Sequence, residues 1–208
     1  MLPQFMQPVA ADKIYRLFNI GATGLVAAEH QGDVDVMPAS WVGALDLTPC
    51  KVTAVIDSTH YTRRLIEESG YFAIGLPSAA IVKETLYLGS LSKFEESDKV
   101  AKSGVKLLAV PDSSIPLVEG CVAWAIFKVI PEVHNEKSYD LFIGEAVAAW
   151  ADSRVFTDGH WHFEKADDSL RTLHYVAGGH FYKIGEAIHV AEWRWMRTIR
   201  DLDSVYLN

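Results

Sequence analysis

Two short stretches of this chain combine residue types able to hold a flat ligand with an anionic tail. The first is Met37-Pro38-Ala39-Ser40-Trp41-Val42-Gly43-Ala44. Small side chains at a strand end let a planar ring approach the main chain, whose N–H and C=O groups can bond the ring's polar edge. Ser40 adds a hydroxyl and Trp41 a planar apolar wall. An ordinary barrel strand bending at small residues would read the same way. The second stretch is Asp57-Ser58-Thr59-His60-Tyr61-Thr62-Arg63-Arg64. Hydroxyls and free N–H groups at a helix start make an anion site, which the helix dipole favours further. Arg63 or Arg64 can add formal positive charge, so a phosphate suits this stretch. Simple N-capping by Ser58 or Thr59 would need no ligand. Taken together, the two stretches flank one strand, residues 51–56, and suit opposite ends of a single molecule.

Other reactive side chains carry weaker signals. Cys50 follows Pro49 at the mouth of a strand, where it either approaches a ligand or sits buried and inert. His160 and His162 share one face if extended and could chelate a metal. No carboxylate or cysteine stands at a fitting distance, so no metal site is expected. Phe181 and Tyr182, after Gly178-Gly179, can stack on a planar ligand or serve as core or dimer contacts. Trp193 and Trp195 read as packing residues. The chain has no GxxxxGK[ST], GxSxG or GxGxxG motif.

The elements that must position these residues are mostly strands. The chain has 208 residues, half of them hydrophobic and 22% charged, which is enough to bury a core. A formal charge of −8 argues against a nucleic-acid partner. Cys50 and Cys121 are too few and too far apart for a disulfide framework or a thiolate zinc site. With no secretory signal and no apolar run near the ~20 residues of a membrane span, a cytoplasmic protein without a membrane partner is expected. Residues 10–18 have helical spacing. Residues 24–28 and 34–41 read as strands around a Gln31-Gly32-Asp33 turn, and residues 51–56 as a strand buried on both faces. A helix over 61–69 closed by Gly70 precedes a strand over 71–76, stopped by Pro77. Helices over 79–88 and 99–103, the latter closed by Gly104, lead to strands over 121–130 and 141–149. A polar hairpin around Asn135 and Lys137 is expected to join those two strands. The strands do not alternate with helices as βαβ units, which predicts a mainly β barrel with peripheral helices.

In order and spacing, these segments resemble the flavin reductase-like, FMN-binding split-barrel family, which includes flavoredoxins. The likeness runs through Val36-Met37-Pro38-Ala39-Ser40-Trp41, Thr48-Pro49, residues 58–62 and Ser69-Gly70-Tyr71-Phe72. It continues at Leu91-Ser92-Lys93, Asp98-Lys99 and Leu141-Phe142-Ile143-Gly144-Glu145, covering residues 8–150.

That resemblance implies a Greek-key split β-barrel, with residues 1–208 as one domain carrying a C-terminal extension from about residue 151. It implies a homodimer, FMN rather than FAD as cofactor, and NAD(P)H or another reductant as electron donor. The isoalloxazine ring would lie against Met37, Ala39, Ser40, Trp41 and Val42. The phosphate would meet Ser58, Thr59 and Thr62 with help from Arg63, and Asp57 and Tyr61 complete that part of the contact set. Ser92 and Lys93 belong to a loop that closes over the cofactor, and Phe181 stacks on it. The cofactor carries the redox chemistry, so no catalytic side chain is assigned. Backbone N–H groups of residues 40–42 would stabilise negative charge near N1 of the reduced ring. One departure stands out. Many reductases of the family carry Gly-Asp-His before the strand that matches 141–147, where this chain has Lys137-Ser138-Tyr139-Asp140. A non-catalytic flavin-binding electron carrier, or a related barrel holding haem or a deazaflavin, therefore stands beside the reductase reading.

Overall fold

A computed structural model describes Met6 and residues 8–110 and 113–189. After a 3₁₀ turn (Ala11–Lys13) and α1 (Tyr15–Phe18), β1 (Gly24–His30) and β2 (Asp33–Ala39) form a hairpin. Its turn residues Gln31 and Gly32 both have positive φ, 51° and 85°. That turn matches the twist of paired strands, and glycine takes it without strain. Only Ser40 and Trp41 separate β2 from β3 (Val42–Leu47), which pairs with β4 (Cys50–Val55). Then come α2 (Tyr61–Ser69), β5 (Tyr71–Pro77), α3 (Val82–Ser90) and α4 (Lys99–Ser103). A hairpin of β6 (Leu107–Val110) and β7 (Ser113–Val118) precedes β8 (Cys121–Ile130), α5 (Val133–Tyr139) and β9 (Leu141–Ala151).

The main antiparallel sheet has the order β2-β1-β5-β8-β9-β4-β3. Its outermost strands, β2 and β3, are therefore neighbours in sequence. Seven flat strands would hold their edges about 29 Å apart, whereas a two-residue link reaches about 10 Å. The sheet must curl until its edges approach, which makes a barrel with a seam at Ser40-Trp41. At that seam the Trp41 carbonyl accepts the Val55 N–H at 3.0 Å. The mainly β split barrel with peripheral helices is the architecture expected from the sequence.

Two apolar cores share β1. Val26, Ala28, Ile56, Leu65, Phe72 and Phe142 pack on one side of it. Leu25, Ala27, Val36, Leu88 and Ile126 pack on the other. The strand buried on both faces is thus β1, not the one expected over 51–56. In β4 only Ala54 is fully buried, because exposed β3 is its outer neighbour. The helix α2 turns Leu65 and Ile66 inward and ends at Gly70, whose φ of 73° gives the left-handed cap. Gly104 closes α4 in the same way.

The expected polar hairpin around Asn135 and Lys137 is instead α5. Its sequence has no apolar periodicity, and its support is tertiary. Arg63 donates to the Glu136 carbonyl at 2.8 Å, and the Glu136 carboxylate accepts the Glu132 N–H at 2.8 Å. Farther on are β10 (Phe156–Thr157) and β11 (His160–Trp161). Then β12 (Leu173–Ala177) and β13 (His180–Lys183) pair across Gly178 and Gly179. Trp193 and Trp195 lie outside the described residues.

Candidate functional site

Where the barrel seam opens, a cavity of about 830 Å³ runs from the end of β2 to the start of α2. Met37, Pro38, Ala39, Ser40 and Trp41 line one side. Asp57, Thr59, His60, Tyr61 and Thr62 line another. One cavity therefore touches both stretches singled out in the sequence. Its size falls within the range of roughly 300–1,000 Å³ common for small-molecule sites.

Each wall has a local cause. The indole of Trp41 is held by its N–H bond to Asn19 Oδ1 at 3.1 Å and by an edge contact with Tyr15. The α3 helix lies close because Gly89 faces Pro38. A Cβ on Gly89 would come within 2.6 Å of Pro38 Cγ. From α3 and the loop after it, Thr85, Leu88, Ser90 and Ser92 reach the cavity. The tail adds Tyr175 and Phe181, fixed by a Tyr175 N–H bond to Thr23 Oγ1 at 3.0 Å. From α5 come Ser138 and Tyr139, then Asp140 with φ of 54°.

The start of α2 suits an anion. Its N-cap is His60, and no side chain caps it, which leaves the first helical N–H groups for solvent or ligand. Neither Ser58 nor Thr59 serves as N-cap. Instead Asp57 accepts the Thr59 N–H at 2.8 Å and the Thr59 hydroxyl at 2.7 Å, and these bonds hold its carboxyl below the usual range. Thr62 is fully buried and donates its hydroxyl to Asp35 at 2.6 Å.

Four residues of the expected contact set fall outside the lining. Val42 packs against the barrel core, and Ser58 precedes the lining residue Thr59. Arg63 is taken up by internal partners: the Asp140 and Glu67 carboxylates and the carbonyls of Ile56 and Glu136. Lys93 bonds the Asp33 carboxylate and the Val34 carbonyl at 2.7 Å. Tyr61 and Arg64 also bond Asp33, and Phe94 packs edge-on against Tyr61 at 4.8 Å. This cluster clasps the Ser92–Phe94 loop to α2.

Asp35, Lys99, Thr23 and Thr85, outside the expected contact set, are all buried and all line the cavity. Asp35 and Lys99 form an ion pair at 2.8 Å. A carboxylate at alternate position to Met37 on β2 was the available signal, since both then share one face.

The other chemically active side chains lie elsewhere. Cys50 is exposed at the β3–β4 turn, and Cys121 is buried beside Gly75 and Trp124. His162 bonds the Thr157 hydroxyl at 2.8 Å. Among the described residues no three His, Cys, Asp or Glu side chains group as metal ligands. Nor is any helix among them long and apolar enough to cross a membrane.

The family model described as the flavin reductase like domain matches residues 19–182. An FMN-binding domain of a flavin reductases-like enzyme from Shewanella baltica is 46% identical with a TM-score of 0.81, covering 88% of this chain and 96% of that one. The flavoredoxin of Desulfovibrio vulgaris (Miyazaki F) has the same fold at 23% identity, with a TM-score of 0.70, covering 92% of this chain and 97% of its own. The uncharacterised protein YddH of Escherichia coli is 35% identical over 184 residues, which is 87% of this chain and 96% of that protein.

Proposed function

The chain belongs to the flavin reductase-like family, and on that premise we propose that it holds FMN in the seam cavity and works as an oxidoreductase. The observation that carries this reading is one cavity joining a small-residue strand end to an uncapped helix start. The donor set fits the cofactor: main-chain groups at Pro38–Trp41 for a polar ring edge, and helical N–H groups with Thr59 nearby for a phosphate. When bound, the flavin supplies reversible two-electron chemistry at its N5.

The chain's own residues do the rest. Met37, Ala39 and Ser40 bound a flat ring, and Trp41 walls one face. Backbone N–H groups of Ser40 and Trp41, which line the cavity, would stabilise negative charge on the ring edge. Tyr175 and Phe181 shield the site from the tail side, and the clasped Ser92–Phe94 loop limits water entry. NAD(P)H is the proposed electron donor. Residues 1–208 are proposed as one such domain of a cytoplasmic homodimer. Leu47 and Phe18, 90% and 78% exposed, support a subunit contact.

An absorption spectrum tests the first half. Purified protein should be yellow, or take up added FMN. Colourless protein that binds none would refute the reading. The second half is tested by stopped-flow mixing with NADH and NADPH, for which rapid bleaching is expected. One observation favours an electron carrier instead: the wall beside Asp140 offers Ser138 and Tyr139 where many family reductases have histidine. Flavin-loaded protein that neither nucleotide bleaches would establish that second reading.

A further inference from the structure

We infer that the hairpin of β12 and β13 is a flap, hinged at its base and latched along one edge, through which the flavin enters and leaves. This rests on the flavin reading above. Tyr175 and Phe181 stand opposite each other in the hairpin register, their ring centroids 4.9 Å apart, and both line the cavity. The two rings form one aromatic cover, which moves when the hairpin moves.

Attachment weakens from the base of the hairpin to its tip. At the base Thr172 and Leu173 are buried, Thr172 pairs with Ser78, and Ile184 packs against the cluster of Val122, Val155 and Phe163. Asp168 faces both Arg171 and Lys183, and Arg171 donates to the carbonyls of Ile184 and Gly185 at 3.0 and 2.7 Å. Halfway along, β12 is latched to the segment before β1. The Tyr175 N–H donates to Thr23 Oγ1 at 3.0 Å, and His174 Nδ1 donates to the Ile20 carbonyl at 2.9 Å. At the tip, residues 177–180 are exposed. The two strands form a sheet apart from the main one, and such a hairpin is marginally stable by itself. The wall across the cavity is held differently, since Lys93 ties the Ser92–Phe94 loop to the Asp33 carboxylate. Both latch bonds have uncharged acceptors and are weaker than that charge-assisted tie. The hairpin is therefore the wall that opens first.

His174 is the latch residue to change, because it lies outside the cavity lining. Losing its bond should raise the open fraction equally with and without flavin, so entry and release should quicken together while their ratio holds. The test follows FMN fluorescence in the full chain by stopped flow, on mixing for entry and on rapid dilution for release. His174→Leu should raise both rates about fivefold, the size of one hydrogen bond, and leave Kd within about twofold of the wild type. His174→Asn keeps a side-chain N–H donor and should restore rates close to those of the wild type. Unchanged rates in His174→Leu overturn the inference and leave the flavin reading standing. Faster release with unchanged entry also overturns it, since the hairpin would then be a binding contact and not a gate. Wild-type protein that binds no FMN overturns both.

Discussion

Arg63 and Asp140 face each other across the mouth of the barrel, joining the first turn of α2 to the residue that ends α5. The same guanidinium reaches the Ile56 carbonyl at 3.0 Å and the Glu136 carbonyl at 2.8 Å, and lies over the Phe142 ring at 5.2 Å. Arg63 is thus the strut that holds the Ser138–Asp140 wall against the barrel, not a spare cation. Arg63→Met should take the guanidinium from two carbonyls and two carboxylates and destabilise the fold by about 3 kcal/mol. Its FMN-to-riboflavin affinity ratio should stay that of the wild type. Denaturant unfolding and paired flavin titrations check both halves, and a selective loss of FMN would return Arg63 to the phosphate site.

Asp33 gives the loop clasp a pH dependence of known sign. Burial raises its pKa, but the Lys93 and Tyr61 hydrogen bonds outweigh this and hold the carboxyl below its ordinary value. A carboxyl whose folded pKa is depressed contributes stability above its unfolded value of about 3.9, and that stability is lost as pH falls through the folded value. Asp33→Asn should therefore lower Tm at neutral pH, and the gap should close as pH drops below about 4. A gap that stayed constant with pH would mean that the clasp does not depend on the Asp33 charge.

The sequence made the barrel legible wherever periodicity or glycine chemistry spoke for itself. Gly32, Gly70 and Gly104 all stand at positive φ, as the turn and the two helix stops expected there require. The α5 helix was missed because its support comes from Arg63, far away in sequence. Strand burial was misplaced because an apolar run over 51–56 cannot reveal which strand lies near the sheet's edge. In the cavity, the strand end and the helix start were both visible as local patterns. Asp35 and Lys99 were not, since a charge signals a site only when burial shows that it has left water.

The two cysteines should differ sharply in reactivity. Burial pushes the Cys121 thiol up to about 12, so it carries almost no thiolate at neutral pH. Cys50 is exposed at its turn. Ellman's reagent at pH 8 should therefore titrate one thiol per native chain and a second only after denaturation. Cys50→Ser should abolish the native reaction. Two fast thiols in the native protein would contradict the packing of Cys121 against Gly75 and Trp124.

Gly89 offers the most direct test of whether the strand end forms the ring wall. The α3 helix can lie on Pro38 only because position 89 lacks a Cβ, and the methyl of Gly89→Ala would come 2.6 Å from Pro38 Cγ and 3.4 Å from Cδ. A proline ring cannot swing aside, so α3 must lift or the Met37–Ser40 edge must bend inward. Overpacking of this kind costs about 1–3 kcal/mol, and the better helix propensity of alanine offsets about 1 kcal/mol of it. Net stability should fall only slightly, while flavin affinity should fall at least severalfold for FMN and riboflavin alike, because both present the same ring. Gly43→Ala is the matched control, since its Cβ would meet Thr53 Oγ1 at an ordinary 3.8 Å. Normal flavin binding in Gly89→Ala would mean that the ring does not lie along this strand end.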